Sequence, residues 1–165
     1  MGILLALPLV SVSALAWLAA NPFNGTFFAL AGIGLAVIAA GLPRTRIQLA
    51  PPWAIVAGVL LFAFGWAYPH FLDTRSYLLY LYAAPTGLIP CPTLAIVTGL
   101  ALIAGGLGSR AWSLVLGGTG IFYGLFGAMR LGVELDWVLP LGALIMLGTV
   151  FATSRTSPTP SRRVS

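Results

Sequence analysis

The stretch PWAIVAGVLLFAFGWAY, from Pro52 to Tyr68, contains 17 residues and no charged side chain. A proline at its start suits the first turn of a helix, because the N–H that proline lacks would have no partner there. The run approaches the roughly 20 apolar residues that an α-helix needs to cross the hydrocarbon layer of a bilayer. Pro69 follows and ends it. The stretch therefore predicts a membrane-spanning helix.

The composition of the whole chain fits the same environment. Of its 165 residues, 59% are hydrophobic and only 7% are charged, whereas a soluble domain carries about 25% charged residues. Charge this scarce cannot cover a surface that faces water, so a soluble globular domain is excluded. In lipid, a helix satisfies its backbone polar groups internally. We therefore expect an all-α fold, a polytopic transmembrane helical bundle in a single domain.

Apolar runs of similar length recur between short breaks that are rich in Pro, Gly, Asn and Arg. Asn21-Pro22, followed by Asn24-Gly25, predicts a turn between the first two runs. We expect the first run to remain as a helix rather than to be cleaved as a signal peptide, because it lacks a positively charged start. Residues 153–165 predict a disordered basic tail. The six predicted spans cover about residues 2–20, 27–42, 52–68, 92–107, 111–129 and 137–152.

The arginines predict the orientation of the chain, since positive charge in short loops is retained on the cytoplasmic side. With six spans, only Arg75 and Arg130 fall on the side opposite to the other six arginines. Both termini are therefore predicted to be cytoplasmic, in the inner membrane of a bacterial cell. The partners we expect are anionic lipid headgroups, and other membrane proteins or a second copy of the chain. Nucleic acid is not expected, because no basic run alternates with aromatic residues.

The segment from residue 71 to residue 90 is apolar but does not fit a seventh span. Its longest uninterrupted run, from Tyr77 to Ala84, is too short to cross, and Asp73 and Arg75 lie near its start. We interpret it as an interfacial or re-entrant segment on the outer face, with its tyrosines at the level of the lipid headgroups.

Few side chains can carry chemistry, and under this topology they share the outer face. His70 and Cys91 are the candidates for a transition-metal site, although no pair of residues has the spacing of a known ligand motif, and otherwise no cofactor is expected. One His and one Cys give no support to a catalytic dyad. Cys91 is interpreted as a packing residue at a helix start, or alternatively as a thiol activated by the helix N-terminus. The candidate outer-face cluster consists of Tyr68, His70, Asp73, Cys91, Glu134 and Asp136.

Parts of the sequence are similar to one another. Residues 34–42 resemble residues 99–107, and the spacing of Trp53, Gly58 and Gly65 recurs at residues 112, 117 and 124. Such repeats are found in many transporters. The pattern is compatible with a duplication in which spans two and three correspond to spans four and five, or with chance, since membrane helices made of Gly, Ala and Leu resemble one another.

The segment from Ala83 to Thr93 contains Ala-Pro-Thr and then Pro-Cys-Pro-Thr at a predicted helix start. In this segment, and in the Glu134-Leu135-Asp136-Trp137 loop before the last span, the chain resembles a family of small bacterial multipass membrane proteins of unknown function. Tyr68-Pro69 is similar to a Tyr-Pro of that family. The likeness covers about residues 68–147 and implies a helical membrane fold without implying an activity.

Three classes of function are compatible with these patterns. The first is a non-enzymatic bundle that supports or assembles with other membrane proteins, for which apolar helices with small residues suffice. The second is a transporter or permease for a small solute or a metal ion, indicated by the internal similarity and the outer polar cluster. The third is a redox-associated membrane subunit that uses Cys91.

Overall fold

The computed structural model describes residues 1–43, 48–68 and 76–154, and within these ranges the chain forms helices and no strands. The predicted all-α class is confirmed. Three short turns of 3₁₀ helix, Tyr77–Leu81, Gly105–Gly108 and Glu134–Trp137, and one π-helical turn, Phe126–Arg130, accompany the α-helices. The six α-helices of this part of the chain are α1 (Gly2–Leu18), α2 (Pro22–Ala40), α3 (Pro52–Trp66), α4 (Pro90–Ile103), α5 (Arg110–Leu125) and α6 (Val138–Ser154).

Three helical segments are long and apolar enough to cross a membrane. They are Pro22–Ala40, with 19 residues, Arg110–Arg130, with 21 residues, and Glu134–Phe151, with 18 residues. The last two include the π turn after α5 and the 3₁₀ turn before α6, which lengthen those helices. The other three α-helices are apolar but shorter, with 17, 15 and 14 residues. The chain therefore has the helices of a membrane protein.

The six helices pack mainly as three pairs that are neighbours in sequence: α1 with α2, α3 with α4, and α5 with α6. Helix α4 lies at the centre and also contacts α1, α5 and α6. Its position explains its burial, because every residue from Cys91 to Gly99 is buried. Glycine brings α3 and α4 close together: a Cβ at Gly58 would lie 2.6 Å from the carbonyl oxygen of Gly99. Small residues at such contacts allow helix backbones to approach in lipid.

The helix ends differ from the predicted bounds where local caps decide them. Helix α2 begins at Pro22 rather than Phe27, because the side-chain oxygen of Asn21 accepts a hydrogen bond of 3.1 Å from the backbone N–H of Asn24. The predicted turn at Asn24-Gly25 is therefore wrong, since both residues lie in the first turns of α2.

Helix α4 spans residues 90–103 instead of the predicted 92–107. Residues 105 to 108, three glycines and Leu107, all have positive φ angles, which an α-helix does not allow. Smaller differences affect the other spans: α1 ends at Leu18, α3 at Trp66, and α6 continues to Ser154. The predicted disordered tail lies outside the described residues from residue 155 onward.

The described part of the segment from residue 71 to residue 90 packs against the middle of α1. A Cβ at Gly87 would lie 3.3 Å from the hydroxyl of Ser11 and 3.9 Å from Cα of Pro8, and both residues lie near the middle of α1. The backbone N–H of Gly87 donates a 2.8 Å hydrogen bond to the hydroxyl of Thr93, which in turn donates to the carbonyl oxygen of Ile89. The loop before α4 is thus tied to the first turn of that helix. Residues 69–75 lie outside the described ranges.

Candidate functional site

A buried carboxylate occupies the end of the bundle where α3 ends and α4 and α6 begin. Asp136 is 2% exposed and lies in the 3₁₀ turn before α6. The hydroxyl of Tyr68 donates to its Oδ1 at 2.8 Å, and the thiol of Cys91 donates to its Oδ2 at 3.0 Å. Three residues that are distant in sequence therefore form one hydrogen-bonded cluster.

The backbone around Asp136 is shaped to hold this side chain. A Cβ on Gly127 would overlap Oδ2 of Asp136, so the carboxylate occupies space that only glycine leaves free. The N–H of Val133 donates to the carbonyl oxygen of Gly127 at 3.1 Å, and the N–H of Asp136 donates to the carbonyl oxygen of Val133 at 3.0 Å. These bonds fold the connection between α5 and α6 back over the carboxylate.

Tyr68 follows the end of α3, and the pKa of its phenol depends on its burial and on Asp136. Burial, and then the hydrogen bond to Asp136 and the charge of that carboxylate, raise the pKa of Tyr68 above its ordinary value of 10. The phenol is therefore a neutral donor near neutral pH. The cluster consists of one carboxylate and two neutral donors.

A pocket of about 520 Å³ opens beside Asp136, and most of its wall is apolar. We call it the Asp136 pocket. On the side of α2 and α5, Phe23, Tyr123 and Phe126 form a contiguous aromatic wall, with ring centroids 5.5 Å apart for Phe23 and Phe126 and 6.0 Å apart for Tyr123 and Phe126. The hydroxyl of Tyr123 donates to Oδ1 of Asn24. The pocket residues are Asn21, Phe23, Asn24, Tyr68, Ile89, Pro90, Cys91, Tyr123, Phe126, Leu131, Val133 and Asp136.

The structure brings together three of the six predicted site residues: Tyr68, Cys91 and Asp136. Glu134 is exposed and does not line the pocket. His70 and Asp73 lie outside the described residues, so the metal site built on His70 and Cys91 stays a prediction. Within the described ranges, no group of three or more His, Cys, Asp or Glu side chains is close enough to hold a metal ion.

Sequence reasoning missed the aromatic wall, of which Tyr123 is part, and the polar residue Asn24 beside it. Asn24 and Tyr123 each lie near the end of an apolar segment that reaches the same end of the bundle as Asp136. A comparison of all polar residues at that end of the predicted spans would have found them. No feature of the sequence predicts that residue 127 must be glycine, because this requirement depends on the direction of the Asp136 side chain in the fold.

A second pocket, of about 710 Å³, lies at the opposite end of the bundle. We call it the Arg110 pocket. It is lined by the start of α1, the end of α2, the loop before α3, the 3₁₀ turn after α4 and the start of α5, where Arg110, Ser109 and Ser113 supply polar groups. Each end of the bundle thus has its own concave surface.

The described residues form helices that are able to cross a membrane, and a pocket with a buried carboxylate lies at one end of the bundle. These features indicate a helical membrane protein, but they do not identify an activity. No family model, curated protein sequence or solved structure matches the chain. The resemblance around Pro90-Cys91-Pro92-Thr93 therefore stays a prediction.

Proposed function

We propose that the chain is a non-enzymatic, six-span membrane protein that binds a small ligand in the Asp136 pocket. The observation that carries the proposal is the buried carboxylate of Asp136 beside an apolar cavity of about 520 Å³. Ligand pockets of proteins typically combine such a volume with an apolar lining and a few placed polar groups. A bundle that serves only for support needs no such cavity.

The arrangement of helix ends supports six crossings. The Asp136 pocket is lined by the start of α2, the end of α3, the start of α4, the end of α5 and the start of α6. The Arg110 pocket is lined by the opposite ends of the same helices, and by the start of α1. Successive helices therefore alternate in direction, as they do in a bundle whose members all cross the bilayer.

The arginine distribution supports the orientation. Arg110 lies at the end of the bundle that holds the N-terminus, and α6 ends there too, with Arg155, Arg162 and Arg163 following it in the sequence. The positive-inside rule then makes this end cytoplasmic and the Asp136 pocket external. The lipid-exposed apolar surface would serve for assembly with other membrane proteins or with a second copy.

A ligand screen tests the binding function. Purified protein in lipid nanodiscs would be heated in the presence of neutral, anionic and cationic small molecules, and a true ligand raises the melting temperature by stabilising the folded state. The Leu131→Trp variant, which adds bulk at the pocket, should lose the shift. Leu141→Trp is the matched control, because Leu141 is 61% exposed, close to the 63% of Leu131, and lies outside the pocket. The proposal fails if no compound stabilises the protein, or if both variants respond alike.

A transporter or permease is the second candidate, and the two pockets at opposite ends of α4 favour it. Between them, Leu94, Val97 and Ala101 of α4 are fully buried, and the two pockets share no lining residue. A permease would have to alternate between states open to either end. Uptake of a screened ligand into proteoliposomes would support transport, whereas binding without uptake would support a receptor.

A redox role for Cys91 is the weakest of the three proposals. The thiol donates its proton to Asp136 in a 3.0 Å hydrogen bond and is only 9% exposed, so it is engaged in the buried cluster rather than presented to a redox partner. The Cys91→Ser variant should therefore keep ligand binding. A loss of ligand binding in that variant, with the protein still folded, would favour the thiol-dependent role.

A further inference from the structure

The carboxylate of Asp136 has no positive partner among the residues that the structure describes. Within residues 1–43, 48–68 and 76–154, it accepts hydrogen bonds from a phenol and a thiol, both neutral, and forms no ion pair. Burial of an ionised carboxylate is costly unless a cation compensates it. Each of its oxygens also keeps a lone pair beyond the one that Tyr68 or Cys91 uses. As the described residues form it, the site can accept a further positive charge and further hydrogen bonds, which a cation would supply.

The aromatic wall of the pocket suits an organic cation rather than a bare metal ion. Phe23, Tyr123 and Phe126 line it together, and the faces of such rings attract ammonium groups. A transition metal would need further strong ligands, and the described part of the chain brings only Cys91 and Asp136 together. A metal ion would also leave most of the apolar cavity empty.

We propose that the Asp136 pocket binds an organic cation, with the carboxylate of Asp136 as its counter-ion and the aromatic wall around its apolar groups. This inference rests on the proposed function, because it names the class of ligand for that pocket. The ammonium group can belong to a soluble amine or to the headgroup of a phospholipid, and both present the same chemistry.

A pair of ions with the same shape and opposite charge tests the proposal on the unmodified protein. Equilibrium binding of tetraphenylphosphonium and of tetraphenylborate would be measured in phosphatidylglycerol nanodiscs, with the signal of empty nanodiscs subtracted. We expect saturable binding of the phosphonium cation at one site and none of the borate anion. Equal binding of both ions, or binding of the anion alone, would overturn the proposal.

Two variants locate the cation. Asp136→Asn keeps the shape of the side chain but removes its charge, and we expect the phosphonium affinity to fall by about tenfold or more. Phe126→Leu should lower it severalfold through loss of one ring. Glu134→Gln is the control, because it removes an exposed carboxylate from the same 3₁₀ turn and should leave the affinity unchanged. If Asp136→Asn is folded and binds the cation as the wild type does, the proposal is wrong.

The lipid composition distinguishes the two sources of the ammonium group. Adding phosphatidylethanolamine to the nanodiscs should weaken phosphonium binding by competition if a lipid headgroup occupies the pocket, and should have no effect if the ligand is a soluble amine. Failure of this proposal is distinct from failure of the proposed function. If only neutral or anionic compounds raise the melting temperature, the proposed binding function holds, but the proposal of a cationic ligand is wrong.

Discussion

At the scale of single residues, the site depends on how Asp136 is enclosed. The sequence alone predicts that Tyr68, Cys91 and Asp136 lie together at the outer ends of the spans. It could not show that they touch, because the rotation of each helix about its axis is set by packing. Nor could it show that Gly127 leaves the space for the carboxylate, since that requires the fold of the connection between α5 and α6.

Gly127→Ala should therefore destabilise the protein. The added Cβ would overlap Oδ2 of Asp136, and overpacking of this kind typically costs about 1–3 kcal/mol. The melting temperature and ligand binding should fall together. Gly118→Ala serves as the control, because a Cβ there has no neighbour within 4 Å. If the two variants are equally stable, the described position of Asp136 is wrong.

Tyr68→Phe removes one of the two donors to Asp136. A buried acceptor left without its partner costs about 1–3 kcal/mol, so we expect a lower free energy of unfolding in denaturant titrations. Tyr82→Phe is the matched control, since Tyr82 is 78% exposed. A loss of stability no larger than that of the control would show that the hydrogen bond to Asp136 is unimportant.

At the scale of helices, hydropathy predicted where each element lies but not where each one ends. Asn21 and Pro22 start α2 five residues earlier than predicted, and the positive φ angles after Ala104 stop α4 early. Polar residues and glycines lower the hydropathy over several residues at both points, so hydropathy does not fix the helix end, whereas the Asn21 cap and the positive φ angles do. The recurring Trp-Gly-Gly spacing has a structural counterpart, because Gly58 packs on α4 and Gly117 on α6, each the next helix in the chain.

Gly58→Ala tests the close approach of α3 and α4. Its Cβ would lie 2.6 Å from a backbone oxygen, which cannot move as a flexible side chain does, so we expect a loss of about 1–3 kcal/mol in stability. Gly34→Ala should be nearly neutral, because a Cβ at that residue would have no atom within 4 Å. Thermal unfolding of both variants in nanodiscs measures the difference, and a reversed order would contradict the packing.

At the scale of the whole molecule, the composition is sufficient to predict a membrane protein. The distribution of arginines is sufficient to predict its orientation in the membrane. The two pockets could not be predicted, because each combines the ends of five or more segments that are separated in sequence. Because the pockets lie at opposite ends of the bundle, the predicted orientation determines which side of the membrane each one faces. The Asp136 pocket should face the exterior, and the Arg110 pocket should face the cytoplasm.

Cysteine labelling tests that orientation in a Cys91→Ser background. Leu131→Cys, at the Asp136 pocket, should react with a membrane-impermeant maleimide added to intact cells. Leu49→Cys, at the Arg110 pocket, should react only after the membrane is permeabilised. Both leucines are well exposed, at 63% and 71%, so exposure does not explain a difference. The opposite pattern would reverse the orientation.

The native thiol provides the most direct test of a ligand in the Asp136 pocket. Cys91 is the only cysteine of the chain and lines this pocket, so its alkylation by N-ethylmaleimide reports whether the cavity is occupied. For each compound that raises the melting temperature, we predict that saturation slows alkylation of Cys91 severalfold in the wild type and leaves it unchanged in Leu131→Trp. A measurable alkylation rate in the free wild type that no stabilising compound slows would contradict ligand binding at Asp136.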